Sequence, residues 1–316
     1  MMFTCQELQI EPTNRCNLHC GICSHALFGV PKQKDLTFSE FKLILDRFGP
    51  NVERIFLQGL GEPFFNPELN AMISHASQQG LFVYTTTNAN ALTEEMIQGM
   101  ISAGLNELRI SIDTFDATLY ENIKSGGKLE QAVTAIKLIN IKKKENGVSF
   151  PVLRINTVVM KETMPGLGQI IDMAALLGIV EVSLIPLVVH GKGLATEEHN
   201  ISVLPDKGLQ NLILQARRQA GELGIELVSG ISTERHPSAM AIEQASVPRC
   251  YHSMYVQSNG DLSSCCNLPL RFGNIFENKL ADIMSGEKMS MLRSFIQENK
   301  PSCHDCVNFA YNCINL

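Results

Sequence analysis

The chain has 316 residues, 45% of them hydrophobic and 18% charged, with a formal net charge of −6. That length and apolar content provide for one large domain, or a large and a small one, and argue against disorder, while a net negative chain without a basic stripe argues against a nucleic-acid partner. The opening Met1-Met2-Phe3-Thr4-Cys5 has no secretory pattern and no apolar run is long enough to span a membrane, so a cytoplasmic protein with no membrane partner is expected.

From residue 7 to about 186, short apolar runs alternate with amphipathic stretches. Strands are predicted at 7–11, 53–58, 81–87, 107–113, 152–160 and 179–185, and helices at 37–48, 67–79, 93–103, 128–145 and 167–177. Strands each followed by a helix read as a parallel α/β sheet, with ligands expected at the carboxyl ends of the strands. Ser39 and Thr93 stand where helix caps are expected. Lys142-Lys143-Lys144 reads as a solvated helix end. His190 and His199 follow in an aperiodic stretch, where each is a substrate-facing candidate or simply a solvated loop histidine. A helix at 205–222 and a strand at 225–229 close this region, and Gln257-Ser258-Asn259-Gly260-Asp261 reads as a hairpin turn between strands at 252–257 and 261–265.

Ten cysteines fall at residue 5, at three positions within 16–23 and at six within 250–313. Two clumps suit two metal sites in a reducing compartment better than a disulfide framework spread through a fold. Cys16, Cys20 and Cys23 form a C-x3-C-x2-C spacing directly after the first strand. Such a loop can fold around a cuboidal iron–sulfur cluster, each thiolate on its own iron, leaving one iron open for a ligand. A zinc site, which takes four ligands and typically pairs its cysteines as C-x2-C, and a disulfide knot are the alternatives.

The strand ends carry further candidates. After the second strand comes Gln58-Gly59-Leu60-Gly61-Glu62-Pro63, where glycines permit close backbone approach and a carboxylate can accept from an ammonium group; a plain Gly/Pro turn is the alternative. Thr85-Thr86-Thr87-Asn88-Ala89 follows the third strand and Ser111-Ile112-Asp113 the fourth, offering small polar groups or ordinary turn chemistry.

The cysteine loop resembles the signature of the radical S-adenosylmethionine (SAM) enzymes. The resemblance implies a partial (β/α)6 barrel over residues 1–229, a 4Fe-4S cluster whose open iron chelates SAM, and reductive cleavage to a 5′-deoxyadenosyl radical, with a reductant such as flavodoxin or ferredoxin. Leu60-Gly61-Glu62-Pro63 is similar to the family's Gly-Gly-Glu-Pro, which holds the SAM amino group, with Leu60 in place of the first glycine. Gly59, Gly61 and Glu62 are thereby implied as cofactor-binding, and Thr87-Asn88-Ala89 and Ser111-Ile112-Asp113 look similar to the family's Thr-Asn-Gly and Ser-Ile-Asp stretches, which implies Asn88, Ser111 and Asp113 toward the SAM carboxylate and ribose. Lys124 stands where the family places an arginine toward the SAM carboxylate, which keeps the charge and loses the fork. Ile22 replaces a common aromatic, and Asn156 on the fifth strand is one more candidate for the SAM pocket.

Residues 230–316 read as a small cysteine-rich extension of β-hairpin and helix. On spacing, Cys250, Cys265, Cys303 and Cys306 fit a zinc ribbon or a second iron–sulfur cluster, with Cys266 or Cys313 able to replace one of them. The segment resembles the SPASM or twitch extension, including Gly273-Asn274-Ile275 and the helix around Leu280-Ile283, which implies one auxiliary 4Fe-4S cluster in the length present. Cys266 is a candidate hydrogen-atom donor or merely packs beside the cluster, and Cys5 is expected to be inert at a frayed terminus. Only fifteen residues precede Cys16, so a leader-binding domain is not expected there. The function expected is oxidation or epimerisation of a small molecule such as a sugar or cyclitol. A maturase acting on a ribosomal peptide and a non-catalytic zinc or iron–sulfur scaffold are the alternatives.

Overall fold

The computed structural model describes residues 5–30, 32–204, 206–229, 253–264, 266 and 270–299. In chain order the first elements are β1 (Glu7–Ile10), α1 (Ser24–Phe28), α2 (Phe38–Phe48), β2 (Arg54–Leu57), α3 (Leu69–Gln78), β3 (Phe82–Thr87), α4 (Glu94–Ser102), β4 (Glu107–Ser111), α5 (Ala117–Ile123) and α6 (Leu129–Glu145). They continue with β5 (Val152–Val159), α7 (Leu167–Leu176), β6 (Glu181–Pro186), α8 (Asp206–Glu222), β7 (Glu226–Ser229), β8 (Ser253–Val256), β9 (Asp261–Ser263), β10 (Gly273–Asn274), α9 (Leu280–Ser285) and α10 (Glu287–Asn299). Every strand and helix expected along the chain forms, with ends moved by only one or two residues. The short α1, α5 and β10 were not foreseen, because two to seven residues carry too little periodicity to register, and the thirteen-residue α10 was not foreseen either.

The chain divides into two compact units. The first comprises residues 5–15 and 32–84 with the described part of 253–299; the second comprises 16–30 and 85–229. β3 is divided between them, Phe82–Tyr84 in the first and Thr85–Thr87 in the second.

In the first unit the strand order is β10-β9-β8-β1-β2-β3. β1 runs parallel to β2, Leu8 opposite Ile55 and Ile10 opposite Leu57, all fully buried. On its other edge β1 runs parallel to β8, Leu8 opposite Met254. The hairpin expected at Asn259-Gly260 forms, with the Gln257 N–H bonded to the Asp261 carbonyl (2.9 Å) around a three-residue loop. α2 lays Phe41, Ile44 and Leu45 on the core. Its cap is Thr37 and not Ser39. Thr37 has the extended backbone a cap requires, its hydroxyl accepts from the Glu40 N–H (3.2 Å), and Glu40 accepts from the Thr37 N–H (2.8 Å), while Ser39 already lies in the first turn. Cys5 is also corrected: it is 6% exposed instead of frayed, and burial pushes its thiol up to about 12.

A buried carboxylate ties this unit together. Glu11, just past β1, is 2% exposed. It accepts from the Leu60 N–H (2.7 Å), the Tyr255 hydroxyl (2.6 Å), the Ser258 hydroxyl (2.8 Å) and the Ser258 N–H (3.2 Å). One side chain thus joins the end of β1 to the turn after β2 and to the β8–β9 hairpin.

In the second unit β4, β5, β6 and β7 follow one another in parallel register. Helices cover the sheet with apolar stripes: Ile97, Met100 and Ile101 of α4, Ala132, Ile136 and Ile139 of α6, Ile170, Ile171 and Ala174 of α7. Thr93 caps α4 as expected, accepting from the Met96 N–H (3.2 Å). At the amino end of the sheet, Glu107 accepts from Arg109 (2.6 Å) and Arg154 (2.8 Å), and Arg154 also pairs with Glu181. The lysine run ends α6, and Lys142 reaches Glu94 (2.6 Å) and Glu145 (2.8 Å). Among the described residues no helix is long and apolar enough to cross a membrane.

Replacing Glu11 by Ala orphans several buried donors and should lower unfolding stability by about 3 kcal/mol, with Glu11→Gln costing less because an oxygen acceptor remains. The midpoint of urea unfolding of the anaerobically purified protein measures both; a wild-type midpoint for Glu11→Ala would remove the carboxylate from this role.

Candidate functional site

The cysteine loop belongs to the second unit and is moored by backbone bonds. The His19 N–H bonds to the Ser125 carbonyl (2.9 Å), the Gly21 N–H to the Ile123 carbonyl (2.8 Å) and the Cys23 N–H to the Cys20 carbonyl (3.1 Å). Leu18 is buried, and Ile22 packs with Leu27 and Leu194 on a cluster of Ile123, Met160, Leu187 and Ala195. Ile22 therefore serves as an apolar contact where the family often has a ring.

Cys16, Cys20 and Cys23 are all half-buried and outside any disulfide. The Leu18 N–H approaches Cys16 Sγ (3.5 Å), as does Asn88 Nδ2 (4.0 Å), and the latter also donates to Asn17 Oδ1 (2.9 Å). Burial pushes the Cys20 thiol up to about 12, the nearby Lys124 ammonium pulling the other way. A buried thiol of this kind becomes a thiolate ligand only against added positive charge, which iron supplies. Among the described residues no three His, Cys, Asp or Glu side chains converge on one metal-ion position. A cuboidal cluster makes a different demand, one thiolate per iron corner, and three cysteines outside any disulfide on one moored loop fit it.

Lys124, Asp113 and Ser111 come together as expected, but they satisfy one another. Lys124, at the end of α5, is 4% exposed, with Nζ 3.0 Å from Asp113 Oδ2 and 3.0 Å from Ser111 Oγ. Asp113 Oδ1 accepts from the Val158 N–H (2.8 Å). Burial alone would lower the lysine, but the Asp113 carboxylate, with smaller contributions from Cys20 and Tyr120, more than offsets it and holds the ammonium well above its usual range. Asn156 on β5 pairs in register with Ser111 on β4, and its Oδ1 is buried with no hydrogen-bond partner, as is Thr86 Oγ1. Orphaned buried polar atoms of this kind call for a ligand or water. Asn88 is 9% exposed, and Ala89 beside it adopts a left-handed φ of 58°, where the family's Thr-Asn-Gly has glycine.

In the first unit, Gly61 lies against the chain that leads to the cysteines. A Cβ there would stand 2.4 Å from the Thr13 carbonyl oxygen and 2.6 Å from that of Arg15, and the Glu62 N–H bonds to the Arg15 carbonyl (2.8 Å). Gly59 is equally crowded, by the Glu11 side chain. The Glu62 side chain is 4% exposed. Arg15 forks onto Asp35 (Nε–Oδ1 2.9 Å, Nη2–Oδ2 2.6 Å) and the Phe65 carbonyl (2.6 Å), and Asn66 donates to the Pro12 (2.6 Å) and Leu36 (2.8 Å) carbonyls. Burial opposes ionisation of Asp35, but Arg15 and Thr13 hold its carboxyl below the usual 3.8.

Glu11, Arg15, Asp35, Asn17 and Asn66 were missed in the sequence. Arg15 and Asn17 flank the first cysteine, a signal that could have flagged them; the others act only through residues distant along the chain. His199 Nδ1 faces Glu162 Oε1 (2.9 Å), and His190 sits edge-on to Phe28 (5.7 Å), burial pulling its imidazole below the usual value. Cys266 is half-buried and free of any disulfide. Cys250, Cys265, Cys303, Cys306 and Cys313 lie outside the described residues.

Two outcomes test these charge pairs. Lys124→Met leaves a buried carboxylate without its counter-charge and should cost about 3 kcal/mol, partly recovered by adding Asp113→Asn; urea midpoints decide it. The lowered Asp35 contributes stability above pH 3.8 that is lost as pH falls through its still lower folded value, so acid should weaken the wild type more steeply than Asp35→Asn in thermal melts across that range.

Residues 10–174 match the family model of the radical SAM superfamily, and residues 249–307 match SPASM, an iron–sulfur cluster-binding domain. A tungsten-containing aldehyde ferredoxin oxidoreductase cofactor-modifying protein of Pyrococcus furiosus is 26% identical over 314 residues, covering 95% of this chain and 86% of that protein. An AdoMet-dependent heme synthase of Methanosarcina barkeri is 26% identical over 318 residues, covering 94% and 86%. In fold, SuiB of Streptococcus suis, solved with S-adenosylmethionine, superposes with a TM-score of 0.75 at 18% identity over 93% of this chain and 69% of its own. The open parallel sheet with helices, the three-cysteine loop and a match over more than half its length agree: this chain belongs to the radical SAM superfamily, whose members use S-adenosylmethionine and a 4Fe-4S cluster, and carries a SPASM iron–sulfur domain behind the core.

Proposed function

We propose that this radical SAM enzyme removes a hydrogen atom from carbon in a small organic molecule, giving a net oxidation or an epimerisation. The observation that carries the chemistry is the trio of half-buried thiols, none in a disulfide, on a loop moored at Gly21, beside a buried ammonium near Cys20. With cluster and cofactor bound, such a site supplies one electron to split S-adenosylmethionine and so yields the 5′-deoxyadenosyl radical that takes the hydrogen. The residues of this chain have the following tasks. Cys16, Cys20 and Cys23 hold the first cluster by three corners. Lys124, fixed by Asp113 and Ser111, offsets negative charge at Cys20. Asn88 holds Asn17 and the approach to Cys16, and Asn156 offers its unsatisfied oxygen to a donor on the cofactor. Glu62, whose backbone is pinned at Gly61 and Arg15, accepts from the cofactor's ammonium group. Cys250, Cys265, Cys303 and Cys306 hold the second cluster, Cys266 or Cys313 standing in for one of them, and a Cys266 left over would be the hydrogen-atom donor of an epimerisation.

The small-molecule assignment draws on the two relatives that match nearly the whole chain, one named for modifying a cofactor and one for making heme. They widen the class from sugars and cyclitols to organic cofactors and their precursors. Anaerobically purified protein should absorb at ~400 nm and carry about eight irons. It should release 5′-deoxyadenosine from S-adenosylmethionine under dithionite; Cys20→Ala should abolish that release, and Cys313→Ala should spare it without substrate. A colourless zinc protein would sink the chemistry. Stimulation of 5′-deoxyadenosine release by a peptide fraction of a cell extract, and not by its small-molecule fraction, would overturn the substrate class.

A further inference from the structure

Beyond β6 the chain folds into a tight turn. Lys192 and Ala195 form an antiparallel bridge, and the N–H groups of His190 (2.8 Å) and Gly191 (2.9 Å) both bond to the Ala195 carbonyl. The tip of this turn rests on the cysteine loop. The Leu194 N–H donates to the Gly21 carbonyl (2.8 Å), while the Gly21 N–H is already held by Ile123, so the residue after Cys20 is gripped from two directions. The Leu194 side chain lies 3.0 Å from where a Cβ on Gly21 would be. Gly193 has a left-handed φ of 55°, and a Cβ on it would stand 2.6 Å from the Gly21 carbonyl oxygen and 2.6 Å from Leu27 Cδ2. On the outer side, Lys192 Nζ lies 4.6 Å from the ring centre of Phe28, at the end of the helix that follows Cys23.

We infer that the Lys192–Ala195 turn is a positioning element for the radical site: Leu194 and Gly193 fix the peptide between Cys20 and Cys23 and cover it from water and oxygen. The inference rests on Cys16, Cys20 and Cys23 holding the cluster. Two anchors at Gly21 leave the intervening chain little freedom, so the angle at which Cys20 and Cys23 present their sulfurs follows the turn. A shift of the turn alters cluster geometry and cofactor affinity without removing a ligand. The apolar lid of Leu194, Leu27 and Ile22 also limits solvent access on that side.

The chain supplies its own control. Gly191 is also left-handed, at φ 71°, but a Cβ on it would meet nothing within 4 Å. Gly191→Ala therefore imposes similar backbone strain with no push on the cysteine loop, whereas Gly193→Ala imposes both. The full-length proteins would be reconstituted anaerobically and reduced, and the change in the cluster's electron paramagnetic resonance spectrum followed as S-adenosylmethionine is added. That change reports only on a cluster with an open iron. Gly193→Ala should bind iron anaerobically yet need about tenfold more S-adenosylmethionine for the spectral change, and lose the signal faster in air; Gly191→Ala should behave as wild type. Leu194→Ala, which keeps the N–H and cannot clash, should shorten the air lifetime with little change in the spectrum, and it decides the shielding role if Gly193→Ala fails to fold. Equal effects from Gly191→Ala and Gly193→Ala, or a wild-type spectrum and air lifetime in Gly193→Ala and Leu194→Ala, would overturn the inference. A wild type that holds iron but shows no S-adenosylmethionine-sensitive signal would overturn the cluster assignment itself, and this inference with it.

Discussion

The constraint on which the first unit depends is the fixing of one short stretch of backbone, residues 11–15, up to the residue before the first cysteine. Four donors converge on the Glu11 carboxylate, the Thr13 and Arg15 carbonyls press against Gly61, and the Arg15 guanidinium is forked onto Asp35. A buried carboxylate with all its donors in place is worth far more than a surface pair, because removing it strands every group that pointed at it. The same bonds decide where the Gly59–Glu62 turn sits, so a motif that looks like a cofactor contact is equally a packing requirement of the strand beside it.

In the second unit the same principle governs charge. Burying Lys124 would be costly without Asp113, and burying Asp113 costly without Lys124 and the Val158 N–H. Together they hold the Lys124 ammonium close to Cys20, where it favours the thiolate and the Asp113 carboxylate partly opposes it. The buried oxygens of Asn156 and Thr86 find no hydrogen-bond partner in the protein, and groups of this kind call for a ligand or water.

The loop and the turns around it illustrate how weak local interactions become specific. None of the backbone bonds to His19, Gly21 or Leu194 is strong singly, but they arrive from α5 on one side and from the chain after β6 on the other. Glycine is required where the two backbones meet, at Gly193, because a side chain has no room there.

How much of this the residues alone reveal depends on the range of the interaction. The C-x3-C-x2-C spacing, the order of strands and helices, the Thr93 cap and the hairpin at Asn259-Gly260 were legible, since each is written in a few neighbouring residues or in a simple period. Ser39 was misread for Thr37 because both are hydroxyl residues near one helix start, and only the backbone angles and the reciprocal bond with Glu40 separate them. What the tertiary structure decided is long-range: β8 lying parallel along β1, Cys5 buried instead of frayed, Glu11 as a junction, Lys124 spent on Asp113, and Leu194 resting on Gly21. Periodicity records which face of an element is apolar, not which distant polar group will meet it. Those pairings are fixed only when the whole chain has packed and buried donors and acceptors are brought within reach of one another.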